Sequence, residues 1–295
     1  MGAVAEIGDA RAERGWHRSL FGTASSRPGI GVAVALTVIA GWIVVAVTIP
    51  AWSPASPIAQ HINGRLLPPS SDHLFGTDIL GRDVLSRVLW GARLSLPTAA
   101  IVITFALGIG GLYGMIAGYV GGGLDEVLMR IVDVTLAFPA IILAMAIAAA
   151  LGPSLRNAVL AMLAVWWPEF ARVMRGQVIA VKEYPHVEAA RVLGAGHWRI
   201  MTRHILPEVI SPLLVKATLD FGNVILLGAG LSFLGLGAVP PQPEWGAMIS
   251  QATETFGQWW VGTFPALAIM TVALSANFVG DGLRGMIDPR EKGKK

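Results

Sequence analysis

Three pairs of opposite charge stand within or beside segments otherwise apolar enough for lipid: Arg130 with Asp133, Glu169 with Arg172 next to Pro168, and Lys216 with Asp220. Spacings of three or four residues put each pair on one helix face, where the two charges can neutralise each other. An ionisable group in hydrocarbon is costly, so each of these must face protein or a water-filled cavity. They could serve as interior glue, as a subunit interface or as contacts in a transport path. Asp220 is the acid expected to face a cavity. A rival reading uses Asp133, Glu169 or Asp220 as the proton relay of an ion-coupled secondary transporter.

Other chemistries find few groups to work with. Cysteine is absent, which excludes disulfides, thiol nucleophiles and Cys-ligated metal centres. The six histidines, His17, His61, His73, His186, His197 and His204, form no H-E-x-x-H pattern, and only His197 and His204 are close. No metal or cofactor is expected in the chain. Without a G-x-x-x-x-G-K-[ST] loop there is no backbone cradle for nucleotide phosphates, and without a G-x-S-x-G elbow an intramembrane hydrolase lacks its nucleophile. The chain is therefore expected to be non-catalytic.

The elements that position these residues are membrane helices. With 54% hydrophobic and only 14% charged residues, the chain departs far from an average soluble domain, of which about 25% is charged. A pI near 9.5 could suggest nucleic acid, but the basic residues gather in short segments beside apolar spans, so no nucleic-acid partner is expected. Apolar runs of about 20 residues, enough to cross roughly 30 Å of hydrocarbon, give an all-α protein with six transmembrane helices at approximately 30–50, 95–120, 129–151, 157–180, 213–237 and 261–283. The first follows Arg14, Arg18 and Arg27 and is longer than the roughly 7–15 residues of a signal-peptide core, so it reads as a signal anchor.

Six spans put both termini in the cytoplasm, in agreement with Arg284, Arg290, Lys292, Lys294 and Lys295 after the last span. The expected organisation is a cytoplasmic tail (1–29), a first helix with an external amphipathic loop (30–94), a five-helix core (95–283) and a second cytoplasmic tail (284–295). Arg65, Arg82, Arg87 and Arg93 run against the positive-inside rule in the external loop. "RDVLSRVLWGAR" is expected to lie along the outer membrane surface. Gly110, Gly114 and Gly118 are four residues apart and predict a packing seam on the second span.

Between the fourth and fifth spans stands "EAARVLGAGHWRIMTRHILP", Glu188 to Pro207, inside a cytoplasmic loop (183–212) that also carries Lys182 at its edge. Pro185 suits a first helical turn, Glu188 lies near that amino end, and Ala189 and Ala190 keep the helix slim. Gly194 sits where a helix ending needs a left-handed residue. A second helical piece carries Trp198, Met201 and Ile205 on one stripe and Arg199 and Arg203 on another, and Pro207 disfavours a helical Leu206 and ends it. Such a hairpin fits a protein-binding knob, and equally an interfacial helix pair anchored by Trp198.

Glu188-Ala189-Ala190, three residues, Gly194, nine residues and His204-Ile205-Leu206-Pro207 resembles the EAA loop of ABC-importer permeases. "HLFGTDILGRDVLSRVLWGARLSL", "LAFP", "ARVMRGQ", "LSFLGLG" and "MIDPR" are similar to stretches of the dipeptide/oligopeptide/nickel branch, specifically its DppC/OppC-like subunit. His204 stands in place of the usual isoleucine, and His186 in place of a common aromatic residue. The resemblance implies the type I ABC-importer permease fold, with Glu188, Ala189, Ala190, Gly194, Arg199, Arg203, Leu206 and Pro207 in a coupling loop seated on an ATPase subunit. It also implies a DppB-like permease, two ABC ATPase subunits that bind ATP and Mg, and an extracytoplasmic substrate-binding protein. Di- or oligopeptides are the expected cargo, with nickel chelates, glutathione and haem as alternatives. The external segments 73–93 and 239–260 could meet the binding protein.

Overall fold

A computed structural model of the chain describes residues 29–255 and 257–287. The expected tails, including Arg14, Arg18, Arg27, Arg290, Lys292, Lys294 and Lys295, lie outside them apart from 29 and 284–287. Every regular element among the described residues is helical. The principal helices are α1 (Ile30–Trp52), α2 (Val84–Val120), α3 (Gly122–Leu136), α4 (Ala140–Leu151), α5 (Leu155–Val181), α6 (Pro185–Val192), α7 (His197–Phe233), α8 (Trp245–Ala252) and α9 (Trp259–Ile287). Within α2 and α7 single π turns, Ala106–Gly110 and Met201–Ile205, interrupt the α-helical register.

The expected six spans are not reached by length and apolarity. Four helices, α1, α2, α7 and α9, are long and apolar enough to cross a membrane; α3 and α4 together make a fifth if counted as one span bent by 84°. Pro139, which offers no amide to continue α3, lies in the break as the residue before α4. α5 has 27 residues, about 40 Å at 1.5 Å per residue, but Arg156, Glu169, Arg172 and Arg175 depress its apolarity.

α2 begins at Val84, not near 95. Asp83 caps it by accepting from the Ser86 amide at 2.8 Å, so "RDVLSRVLWGAR" is largely the opening of a spanning helix and does not lie along the surface. The apolar pattern alone misplaced this boundary because the first turns bury arginine. Arg82 and Arg87 have 0% exposure, and Asp78 2%. Arg82 pairs with Asp78 at 2.6 Å and donates to Gln251 at 2.9 Å, while Arg87 donates to the carbonyls of Pro57 at 2.8 Å and Pro241 at 3.3 Å. Two of the arginines that defied the positive-inside rule are thus structural. Trp260 and Trp245 complete the fastening by donating to the Thr77 and Val88 carbonyls. Segments 53–83 and 234–255 together form an interlocked cap.

α7 and α9 run antiparallel, with Gly222 against Ala273 and Gly280 against Leu219. α1 runs antiparallel along α9, where Gly31 meets Phe278 and Gly282 meets Val32. The carboxyl end of α2, α6, the start of α7, the start of α1 and the end of α9 therefore gather at the end opposite the cap. The glycine seam of α2 packs on α5: a Cβ on Gly114 would fall on the Ala171 carbonyl, and one on Gly118 would come within 2.9 Å of the Arg175 carbonyl oxygen. Small residues here let two backbones meet.

Candidate functional site

The hairpin at the end opposite the cap is built from short-range backbone rules. Tyr184 is extended, Pro185 opens α6, and Val187 and Ala190 bury its inner side. Ala189 is exposed, and Glu188 is paired with Arg191 at 2.7 Å across one turn. At the far end Gly194 has φ +77°, as its position predicts. Its amide donates to the Arg191 carbonyl and the Ala195 amide to that of Ala190, both at 3.0 Å, the paired closure that a left-handed residue permits. Nothing lies within 4 Å of where a Cβ on Gly194 would be, so the demand for glycine there is conformational.

The second half departs from the expected stripe. Ile200 and Ile205 are buried, whereas Trp198 is 66% exposed. The π turn at Met201–Ile205 adds a residue to the turn, so positions five apart face the same way. Pro207 does not end the element either. It falls in the first turn after the π segment, where a missing N–H leaves few bonds unmade, and α7 continues to Phe233. Arg199, Arg203 and Pro207 are exposed and Leu206 is half-buried. Val192 and Leu193, 79% and 85% exposed, leave an apolar tip at the hairpin turn, and Trp198 at the start of α7 is exposed too.

Three side-chain contacts fasten the hairpin. Lys182 donates to the Gly118 carbonyl at 3.0 Å, the Tyr119 hydroxyl meets His197 Nδ1 at 2.9 Å, and His186 Nε2 lies 3.1 Å from Glu208. His186 thus bonds α6 to α7. None of these partners was legible from spacing.

Away from the hairpin the charges pair across helices. Of the expected local pairs only Lys216–Asp220 forms, at 2.8 Å. Asp133 of α3 pairs instead with Arg172 of α5 at 2.5 Å, and Glu169 of α5 with Lys216 of α7 at 2.7 Å. Helix packing brings these groups closer than their sequence neighbours. Asp125 of α3 and Arg175 of α5 add a two-pronged pair, both contacts at 2.6 Å, which sequence reasoning missed. Asp220, expected to face a cavity, is 8% exposed and also accepts from the Trp166 indole at 3.2 Å. It is buried and bonded.

At the cap end, a cleft of about 940 Å³ is walled by residues including Trp90, Arg93, Pro241 and Gln242. Among the described residues no group of three or more His, Asp or Glu is placed to hold a metal ion.

Comparison with known proteins adds to this geometry. Residues 110–293 match the family described as the binding-protein-dependent transport system inner membrane component. The chain is 45% identical over 240 residues to the probable D,D-dipeptide transport system permease protein DdpC of Escherichia coli (strain K12), covering 81% of this chain and 80% of that one. It is 44% identical over 260 residues to the dipeptide transport system permease protein DppC of Alkalihalophilus pseudofirmus, covering 88% and 86%. The glutathione transport system permease protein GsiD of Pectobacterium atrosepticum is 44% identical over 225 residues, covering 76% and 75%. In structure, the chain resembles one in the inward-facing MetNI methionine ABC transporter, with a TM-score of 0.55 at 23% identity over 69% of this chain and 96% of that one; this likeness bears on fold alone. The sequence match spans the hairpin, the charge ladder and the last three helices, and the chain belongs to the family of multi-pass inner-membrane components of binding-protein-dependent transport systems.

Proposed function

We propose that this chain is one of two permeases in an ABC importer for di- or oligopeptides. It works beside a DppB-like permease, two ATPase subunits that bind ATP and Mg, and an extracytoplasmic binding protein. The observation that carries the reading is the hairpin: an exposed, slim helix closed at Gly194, with Val192 and Leu193 presented at its tip and Trp198 exposed at the start of α7. An apolar tip beside Arg199 and Arg203 suits a protein groove, and α7 runs from the hairpin through one π turn towards the cap, so a push on the hairpin reaches the far side through one element. The hairpin and the termini lie in the cytoplasm and the cap outside. When the ATPases close, the coupling helix moves and the path opens to accept cargo from the binding protein. The peptide cargo follows the dipeptide permeases among the relatives.

The test is Gly194→Val, co-expressed with both ATPases and the partner permease. A β-branched residue at positive φ costs about 1–3 kcal/mol, enough to weaken docking roughly 5- to 150-fold. Membrane levels are expected to hold while ATPase co-purification and ATP-driven uptake fall. Glu188→Lys is expected to act in the same direction, because it places a cation at a helix amino end and loses Arg191. Normal association and normal uptake in both variants would remove the hairpin from the mechanism. Uptake that proceeds in vesicles without ATP would point instead to the ion-coupled transporter, and mass spectrometry of material co-purified with the binding protein would name the cargo.

A further inference from the structure

Glu169 lies near the midpoint of α5, and Lys216 near the midpoint of α7. At 1.5 Å per residue Glu169 is about 20 Å from either end of α5 and Lys216 more than about 25 Å from either end of α7, both farther in than half of the roughly 30 Å of hydrocarbon. Yet the Glu169 side chain is 50% exposed, and Arg172 and Asp133 are each 56% exposed. Charges so placed cannot face acyl chains; their side of the bundle must meet water or protein. Ala164 and Gly176 of α5 are exposed as well, Gly176 two turns beyond Glu169 on the same side, and α7 carries exposed Asn223 two turns beyond Lys216. Pro168 adds a further polar group, since it supplies no amide to the Ala164 carbonyl.

The chemistry of this patch is specific. Glu169 and Arg172 are three residues apart on one face, with Cβ atoms about 5–6 Å apart. The ends of an extended dipeptide are separated by about 7 Å. A zwitterionic short peptide therefore presents an ammonium and a carboxylate at a spacing that side chains of this reach can span. The cluster of Asp133, Glu169, Asp220, Arg172 and Lys216 holds three carboxylates and two cations, so even with its ion pairs formed it retains one negative charge to receive the ammonium.

We infer that Glu169 and Arg172 form a transient station in the aqueous path, where Glu169 accepts from the α-ammonium and Arg172 donates to the terminal carboxylate of a passing short peptide. The inference rests on the peptide-importer reading, and its test separates the two. In the complete complex reconstituted in proteoliposomes with its loaded binding protein, wild-type uptake of a dipeptide must depend on ATP; if it does not, the importer reading fails first. Given that uptake, Glu169→Gln and Arg172→Gln are expected to reduce it about tenfold at saturating binding protein, with the partner permease still co-purifying. Because the chain has no cysteine, Ala164→Cys and Gly176→Cys give a second readout. A charged, membrane-impermeant thiol reagent is expected to modify both in the assembled complex, more slowly while peptide is being transported. Full uptake by both Gln variants would overturn the station. Loss of the partner permease from the Gln variants, or no modification of either cysteine, would mean that the face is a subunit interface or a lipid surface, and would overturn it equally.

Discussion

A Cβ on Gly114 would fall on the Ala171 carbonyl, whereas one on Gly176 would meet nothing within 4 Å. Two glycines in paired helices are thus predicted to behave oppositely. Gly114→Val is expected to destabilise the protein by about 1–3 kcal/mol through overpacking, while Gly176→Ala is expected to be neutral or to stabilise it by up to about 1 kcal/mol. Thermal unfolding in detergent reads both. The spacing of Gly110, Gly114 and Gly118 made the seam legible, but spacing defines a face and not its occupant, so α5 could not be named. The charges show the same limit. Lys216–Asp220 was legible because both partners share a helix, whereas Asp133–Arg172, Glu169–Lys216 and Asp125–Arg175 each join residues 39 to 50 positions apart. Arg82 and Arg87 went furthest astray, since an arginine in a loop reads as solvent-facing and only the fold supplies Asp78 and the Pro57 and Pro241 carbonyls.

At the scale of elements, the hairpin's first half was legible because Pro185 and Gly194 act through local backbone rules. Its second half was not, because a π turn leaves no mark in an apolar pattern and shifts the buried stripe from Trp198 to Ile200, with Ile205 kept. The fastening of the hairpin to α2 leads to a prediction of its own. Tyr119→Phe with Lys182→Met removes the contacts to His197 and to the Gly118 carbonyl. Each is worth about 0.5–1.5 kcal/mol, and neither side chain belongs to the exposed tip. ATPase subunits are expected to co-purify normally, while uptake per ATP hydrolysed drops. Unchanged stoichiometry would show that α2 takes no part in relaying the movement.

At the scale of the molecule, α1 is an outrigger: only 6% of its apolar window is buried in the bundle, and it meets α9 through Gly31, Gly282 and the Trp42–Thr271 hydrogen bond at 3.1 Å. The all-α architecture followed from composition, but the number of crossings did not, because Arg156, Glu169, Arg172 and Arg175 break the apolar run of α5 and α3–α4 turns a corner. Orientation is testable directly in this cysteine-free chain. Ser56→Cys and Thr253→Cys at the cap are expected to react with an impermeant thiol reagent in intact cells, and Leu193→Cys at the hairpin tip only after the membrane is opened. Reaction of Leu193→Cys in intact cells would reverse the placement.

The interlocked cap also sets an order of events during synthesis. Arg82 and Arg87 leave the ribosome early, but Pro241, Gln251 and Trp260, which fasten the two cap segments, emerge only after α7 is complete. Domains generally assemble from the amino end as the chain is made, yet here the first half must wait with two guanidinium groups short of partners. The cap is therefore a latch closed by the last third of the chain, and a polypeptide that stops short of residue 241 carries an open latch, a feature by which membrane quality control could tell an unfinished permease from a finished one.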